Sequence, residues 1–262
     1  MLTLVRARRM GGKAGEPIPA AFPALERAGV HVRRGQLTLI AAGPGVGKSA
    51  LVATIAVMAE VPTLYFSADS DAFTQYTRLG AMVTETEVWK VEKDLEEGRS
   101  VHYDMQINRL DYLRWNFDPS PTLDTLDLDV QAFGYAYGCW PQLIVIDNLK
   151  NVWSDSDGEF NRLGEIIDFL HELGRTTGAA IIALHHLTGE YDDGIRAAPM
   201  SALLGKISKV PEMILTLHKT GSSDFGNMIL NVSPVKNRGG RADPSGNWSI
   251  ELPADLERMR IG

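Results

Sequence analysis

The stretch Ala42-Gly43-Pro44-Gly45-Val46-Gly47-Lys48-Ser49 decides the architecture. It follows the apolar run Leu37 to Ala42 and opens a helical pattern at Lys48-Ser49. Strand, glycine-rich turn and helix in that order make a phosphate cradle of the Walker A kind, with Ala42 in the place of the first glycine. Glycines at 43, 45 and 47 let backbone N–H groups converge on phosphate oxygens with no Cβ in the way. The helix N-terminus adds partial positive charge. Lys48 is expected to reach the β- and γ-phosphates and the Ser49 hydroxyl to ligate Mg²⁺. A ligand-free glycine turn is the competing reading, and the strand and helix on either side weigh against it.

Outward from the cradle, short apolar runs recur at Thr63 to Ser67, Leu143 to Ile146, Ala179 to Leu184 and Met213 to Leu217. None alternates with polar residues, which predicts strands buried on both faces. Helical patterns over 49–60, 72–82 and 160–177 separate several of them, so the fold class is α/β with a mainly parallel sheet and right-handed crossovers. Two late segments, 227–235 and 248–252, alternate as hairpin strands, with the turn-rich stretch 236–246 between them. Residues 84–140 depart furthest from this rhythm. They predict helix before Pro119-Ser120-Pro121 and a helical crossover over 127–137.

The chain has 262 residues, enough for one large domain, read as a single domain over 22–262 behind a flexible basic arm over 1–21. That arm carries Arg6, Arg8, Arg9 and Lys13, but glycines rather than an apolar segment follow it, so no signal peptide is expected. No apolar run approaches a membrane span, and a cytoplasmic protein with no membrane partner is expected. The lone Cys139 excludes an internal disulfide and reads as a small core residue. A net charge of −7 argues against a surface that is basic throughout, yet basic residues gather late, from Arg196 to Arg241. The acidic stretch between Glu85 and Asp129 reads as a solvated face.

Three further places carry chemistry. Leu143-Ile144-Val145-Ile146-Asp147 is a buried strand ending in a carboxylate, the Walker B pattern that holds Mg²⁺ at the carboxyl edge of a sheet. Phe66-Ser67-Ala68-Asp69-Ser70-Asp71 ends another strand, where a carboxylate could orient the attacking water or cap the next helix. Ala183-Leu184-His185-His186 closes a third, where a polar side chain could sense the γ-phosphate or be structural. No accompanying ligand spacing supports zinc there.

With these pieces in order, the chain resembles the RecA-like motor domain of DnaB-type replicative helicases, in particular phage and plasmid forms, from about Phe22 to its end. Phe22-Pro23-Ala24-Leu25, Arg34-Gly35-Gln36-Leu37-Thr38-Leu39-Ile40-Ala41 and the leading Ala42 follow the family's approach to the P-loop. The family's catalytic glutamate lines up with Asp69, shorter by one methylene or about 1.5 Å. Its sensor glutamine lines up with His186, similar to plasmid RepA-type helicases. Lys236-Asn237-Arg238-Gly239-Gly240 matches an element whose Lys and Arg reach the neighbouring subunit's nucleotide; without the resemblance it reads as a solvated hairpin tip.

The resemblance implies ATP and Mg²⁺ as cofactors. It implies Lys48, Asp69, His186, Lys236 and Arg238 as catalytic residues, Arg78 beside the P-loop as a nucleotide contact, and Ser49 with Asp147 as metal ligands. It also implies a hexameric ring on single-stranded DNA, with a loader or primase as possible partners. The family's N-terminal collar has no counterpart in the sequence, so primase coupling through a collar is not expected. DNA contacts are expected after Asp147 (153–161) and after His186 (189–209), the second loop supplying Arg196, Lys206 and Lys209. A RecA/RadA-like recombination ATPase and a slowly hydrolysing nucleotide-gated regulator or loader are the alternatives.

Overall fold

The computed structural model describes residues 3–6, 14–203, 205–221 and 228–262, with the side chains of residues 205 and 206 outside that description. The basic residues Arg8, Arg9 and Lys13, and the start of the strand expected from 227, fall outside it. Among the described residues, nine strands form one sheet in the order β3-β2-β4-β5-β1-β6-β7-β8-β9. They are β1 (Leu37–Ala42), β2 (Thr63–Ser67), β3 (Leu113–Asn116), β4 (Leu143–Asp147), β5 (Ala180–His186), β6 (Met213–Thr220), β7 (Met228–Asn237), β8 (Ile250–Asp255) and β9 (Arg260–Ile261). The first six are parallel and the last three antiparallel, as an α/β sheet with a late hairpin requires. The helices are α1 (Pro23–Arg27), α2 (Lys48–Ala59), α3 (Ala72–Thr84), α4 (Val88–Glu96), α5 (Val101–Ile107), α6 (Leu123–Tyr137) and α7 (Glu159–Thr177).

The unbroken apolar strands have the expected cause. Leu37, Leu39 and Ala41 face one core with α6 and α7, while Ile40 and Ala42 face the other with α2. Helix α2 buries residues on most of its circumference, because the sheet, the hairpin and α1 close around it. Parallel pairing brings the carboxyl ends of β1, β2, β4 and β5 to one edge, where Ala42 pairs with His186 and Ser67 with Asp147. That edge is where such sheets bind ligands.

Four expectations need correction. The stretch before the proline break holds the edge strand β3, whose Trp115 packs on Tyr65 with ring centroids 4.4 Å apart. Helix α6 begins at Leu123, capped reciprocally by Thr122 and Thr125, rather than at residue 127. Cys139 is exposed, because Gly138 ends α6 in a left-handed cap and turns the chain outward. The segment that reads as a loose arm is also partly laid down on the domain. Gly15 N–H donates to the Arg34 carbonyl at 2.7 Å, Pro17 bridges Arg33, and Ile18 is buried.

Candidate active site

A cavity of about 320 Å³ opens at the carboxyl edge of the sheet, lined by Pro44, Gly45, Gly47, Lys48, Ser49, Asp69, Ser70, Arg78, Asp147 and His186 among others. A larger cavity of about 700 Å³ lies between α6 and α7, lined by such residues as Val130, Trp140, Phe169 and Leu173. No motif residue reaches it, so chemistry rather than size singles out the smaller one.

Lys48 heads α2 and is buried. Its ammonium donates to the carbonyls of Ala42 and Gly43, both at 2.9 Å, and lies 3.2 Å from His186 Nδ1. An ammonium only donates, so Nδ1 is the acceptor and the imidazole proton sits on Nε2. That atom faces Asp69 Oδ2 at 4.0 Å. Burial lowers the His186 pKa, with the Lys48 charge adding to it, which keeps the ring neutral for this role. Burial also brings Lys48 down to about 8, against the upward pull of Asp147 and then Asp69.

Asp147 ends β4 almost fully buried. Burial raises its pKa, and hydrogen bonds with Ser49 and Tyr65 oppose that rise. The Tyr65 hydroxyl donates to Oδ2 at 2.9 Å. A carboxylate oriented by a fixed phenol beside a serine hydroxyl is a hard-oxygen pair, the donor chemistry that Mg²⁺ takes beside phosphates. The residues therefore fit a magnesium–nucleotide. Among the described residues no group of three or more His, Cys, Asp or Glu is placed to hold a metal ion together.

The choice between base and cap at the end of β2 resolves into two residues. Asp71 caps α3, accepting from Thr74 N–H at 2.7 Å. Asp69 is left facing the cavity with about half its side chain exposed. Its amide donates to the Asp147 carbonyl at 3.2 Å, which ties the two acidic strand ends together. Arg78, in the second turn of α3, donates to Ser70 Oγ at 3.1 Å on the cavity wall.

The glycines of the cradle have separate causes. Gly45 and Gly47 have φ of +68° and +113°, where a side chain strains the backbone. Gly43 does not, but a Cβ there would lie 2.1 Å from the Asp192 carbonyl oxygen. The loop after β5 is packed against the back of the P-loop, held by Lys219 N–H on the Gly194 carbonyl at 2.7 Å. Backbone cannot swing aside as a flexible side chain can. Gly43→Ala is therefore expected to cost about 1–3 kcal/mol of stability. A lowered Tm in a thermal melt is the check; an unchanged Tm would remove this explanation of the glycine.

Lys236 and Arg238 are not brought to this cavity. Asn237 pairs with Met213, which pairs in turn with Thr38 near the start of β1, whereas the P-loop follows the end of that strand. A six-residue strand separates the two edges by roughly 20 Å. The Lys236 ammonium donates to the carbonyls of Ser208 and Lys209 at 2.8 and 2.7 Å. Arg238 is more than half exposed, 3.3 Å from the Lys209 carbonyl and 3.6 Å from Glu212 Oε1.

The second expected DNA loop is divided likewise. Arg196 follows Gly194 at the P-loop edge, whereas Lys209 sits beside Lys236 at the opposite edge, so Arg196 and Lys209 do not share one surface. The chain between β5 and β6 must run the length of the sheet to start another parallel strand, which is what separates them. The Lys206 side chain lies outside the described residues. In the first loop Trp153 is half exposed beneath the Arg162 guanidinium, 5.6 Å from the ring centroid. Leu256 and Met259, which also line the cavity, carry no motif and give no signal in the sequence.

Residues 17–245 match the family described as DnaB-like helicase C terminal domain. The Gene 65 protein of Mycobacterium phage L5 is 47% identical over 256 residues, covering 95% of this chain and 94% of that protein. Its counterpart in Mycobacterium phage D29 is 46% identical over 231 residues, covering 86% and 98%. Among solved structures, one described as an ATPase domain superposes with a TM-score of 0.80 at 17% identity, covering 99% of this chain and 95% of that one. A DnaB-like replicative helicase, described with its interactions with primase, gives 0.79 at 17% identity, covering 99% and 64%.

Proposed function

This chain belongs to the DnaB-like helicase C-terminal domain family, and on that premise we propose that it is an ATP-driven motor that moves along single-stranded DNA as a ring. One observation carries the reading. Lys48, His186, Asp69 and Asp147 converge on one cavity, while Arg238 stands exposed at the far edge of the same sheet. A subunit built this way holds most of a hydrolytic site and presents the missing cation to a neighbour. Closed rotation about an axis, as in a hexamer, satisfies both halves at every interface.

In this reading the P-loop amides and Lys48 bind the triphosphate, and Arg78 contributes from the cavity wall. Ser49 and Asp147 hold Mg²⁺, which when bound neutralises phosphate charge. Asp69 accepts the proton of the attacking water. Neutral His186 takes Lys48 on Nδ1 and turns Nε2–H toward the γ-phosphate side, where it can donate. Arg238 of one subunit stabilises phosphoryl charge in the next, and Lys236 supports the strand end that carries it. Arg196 and Trp153, both exposed, would supply DNA contacts in this reading. The phage relatives suit work in the cytoplasm of an infected bacterium, with a loader or primase as partner. A slowly hydrolysing nucleotide-gated loader is the second reading, favoured by the short, half-exposed Asp69.

The test is ATP turnover with and without single-stranded DNA, alongside unwinding of a forked duplex. DNA-stimulated turnover with unwinding is expected. Turnover indifferent to DNA, with no unwinding, would contradict the motor and favour the loader. A pH profile adds a second check. Phosphate beside Lys48 raises its pKa above the free value of about 8. The contribution of Lys48 to affinity is then complete below that value and is lost as pH climbs through the bound value. Binding of a non-hydrolysable ATP analogue should be constant up to about pH 8 and weaken above it; constant affinity to pH ~10 would contradict this assignment.

A further inference from the structure

The sheet edge that carries Arg238 holds an acidic residue that belongs to no motif. Glu212 stands one residue before β6, its side chain only 13% exposed. Its backbone is fixed on both sides. The Glu212 amide donates to the Leu37 carbonyl at 3.0 Å, and the Glu212 carbonyl accepts from Arg238 N–H at 3.0 Å. One residue thus ties the start of β1 to the end of β7.

The carboxylate is fixed as well. Oε2 accepts from Leu37 N–H at 3.0 Å. Oε1 lies 3.2 Å from His171 Nε2, on α7, and 3.6 Å from Arg238 Nη1. An ionised carboxylate only accepts, so the imidazole donates to it. Leu37 and His171 therefore hold the group with one oxygen beside the guanidinium. On the other side Arg238 Nη2 lies 3.3 Å from the Lys209 carbonyl.

A strand start that needed only an acceptor for its first amide could use a neutral side chain, since burying a carboxylate is costly unless charge and hydrogen bonds compensate. The charge has a use at Arg238. An arginine side chain left free spreads over many rotamers, and that freedom is lost when it reaches a phosphate. A fixed carboxylate near its head narrows the spread beforehand. The contact is long and the guanidinium more than half exposed, so it is aimed without being trapped, with donors left over for phosphate. We infer that Glu212 is a positioning residue for hydrolysis in the neighbouring subunit: it holds Arg238 in the orientation from which it reaches across. The inference rests on the trans-arginine reading above and adds to it the group that aims the arginine.

The experiment measures DNA-stimulated ATP turnover by the full chain and its Glu212→Gln variant, singly and in mixtures. Glutamine keeps an oxygen for Leu37 N–H and removes the charge. It is expected to lower kcat by about 10- to 100-fold, the scale of a misplaced catalytic group, with affinity for a non-hydrolysable ATP analogue within about twofold. Adding Glu212→Gln to Arg238→Ala should lower turnover no further. Mixed with Lys48→Ala protein, the variant should regain turnover, because its own P-loop then receives an Arg238 aimed by an intact Glu212. Mixed with Arg238→Ala protein it should not, whereas a subunit that merely folds badly would be rescued by neither. A variant within about threefold of wild type would overturn the inference. So would a further loss in the Arg238→Ala background, no rescue by Lys48→Ala protein, or rescue by Arg238→Ala protein. Arg238→Ala protein as active as the wild type would overturn the trans-arginine reading itself, a separate outcome.

Discussion

Arg238→Ala is expected to lower DNA-stimulated ATP turnover by about 10³-fold or more, the scale of a trans arginine in phosphoryl transfer. Nucleotide affinity and stability should barely change. The guanidinium is more than half exposed and its contacts, the Lys209 carbonyl and Glu212, are long. Removing such a group costs little in folding, typically within about 0.5 kcal/mol. Lys236 makes a poorer probe, because its ammonium satisfies two carbonyls and its loss would loosen the turn before β6. Steady-state kinetics with single-stranded DNA, beside a thermal melt, checks the prediction. A rate within a few-fold of wild type would mean that the late basic element is a solvated surface and nothing more.

Asp69→Asn is expected to reduce kcat by about 10²- to 10⁴-fold with ATP affinity changed only slightly. The amide keeps the shape and the half-exposed position of the carboxylate and removes only the ability to accept a proton. The backbone at 69 is fixed to the Asp147 carbonyl independently of the side chain, so the strand end should stay in place. Asp69→Glu extends the carboxylate by about 1.5 Å toward the triphosphate and should retain turnover or raise it. Single-turnover hydrolysis separates this effect from product release. An Asn variant as fast as the wild type would place the base elsewhere and sink the role given to Asp69.

The parts of the fold legible in the sequence are those with local causes. Ile144, Val145 and Ile146 read as a strand because both faces of β4 are buried, and Gly47-Lys48-Ser49 reads as a turn into a helix because its chemistry is contiguous. Strand β3 is not legible in this way. Only Leu113 of its four residues is buried, and what makes it a strand is its pairing with β2, where Trp115 packs on Tyr65. Tertiary contact there overrides a weak local pattern. The Thr122/Thr125 cap is visible in principle, as a threonine pair at the spacing of a capping box.

The site divides along the same line. Asp69 and His186 can be picked out as strand ends, but no spacing rule says that a neutral His186 spans from Lys48 toward Asp69. Gly43 reads as making room for phosphate, yet its immediate neighbour is the Asp192 carbonyl from a distant loop. Leu256 and Met259 look like an ordinary terminal turn until the sheet carries them to the P-loop. Arg196 and Lys209 read as one basic loop, and the crossover to β6 places them at opposite edges.

Central to the proposed mechanism is the completion of one subunit's P-loop by another subunit's Arg238. Mixing Lys48→Ala and Arg238→Ala proteins, each expected to be inactive alone, tests it most directly by ATP turnover on single-stranded DNA. At mixed interfaces the Lys48→Ala subunit still carries Arg238 and the Arg238→Ala subunit still carries an intact P-loop. The mixture is expected to regain turnover that neither parent shows. A mixture as silent as its two parents, or an Arg238→Ala protein active by itself, would contradict the shared site.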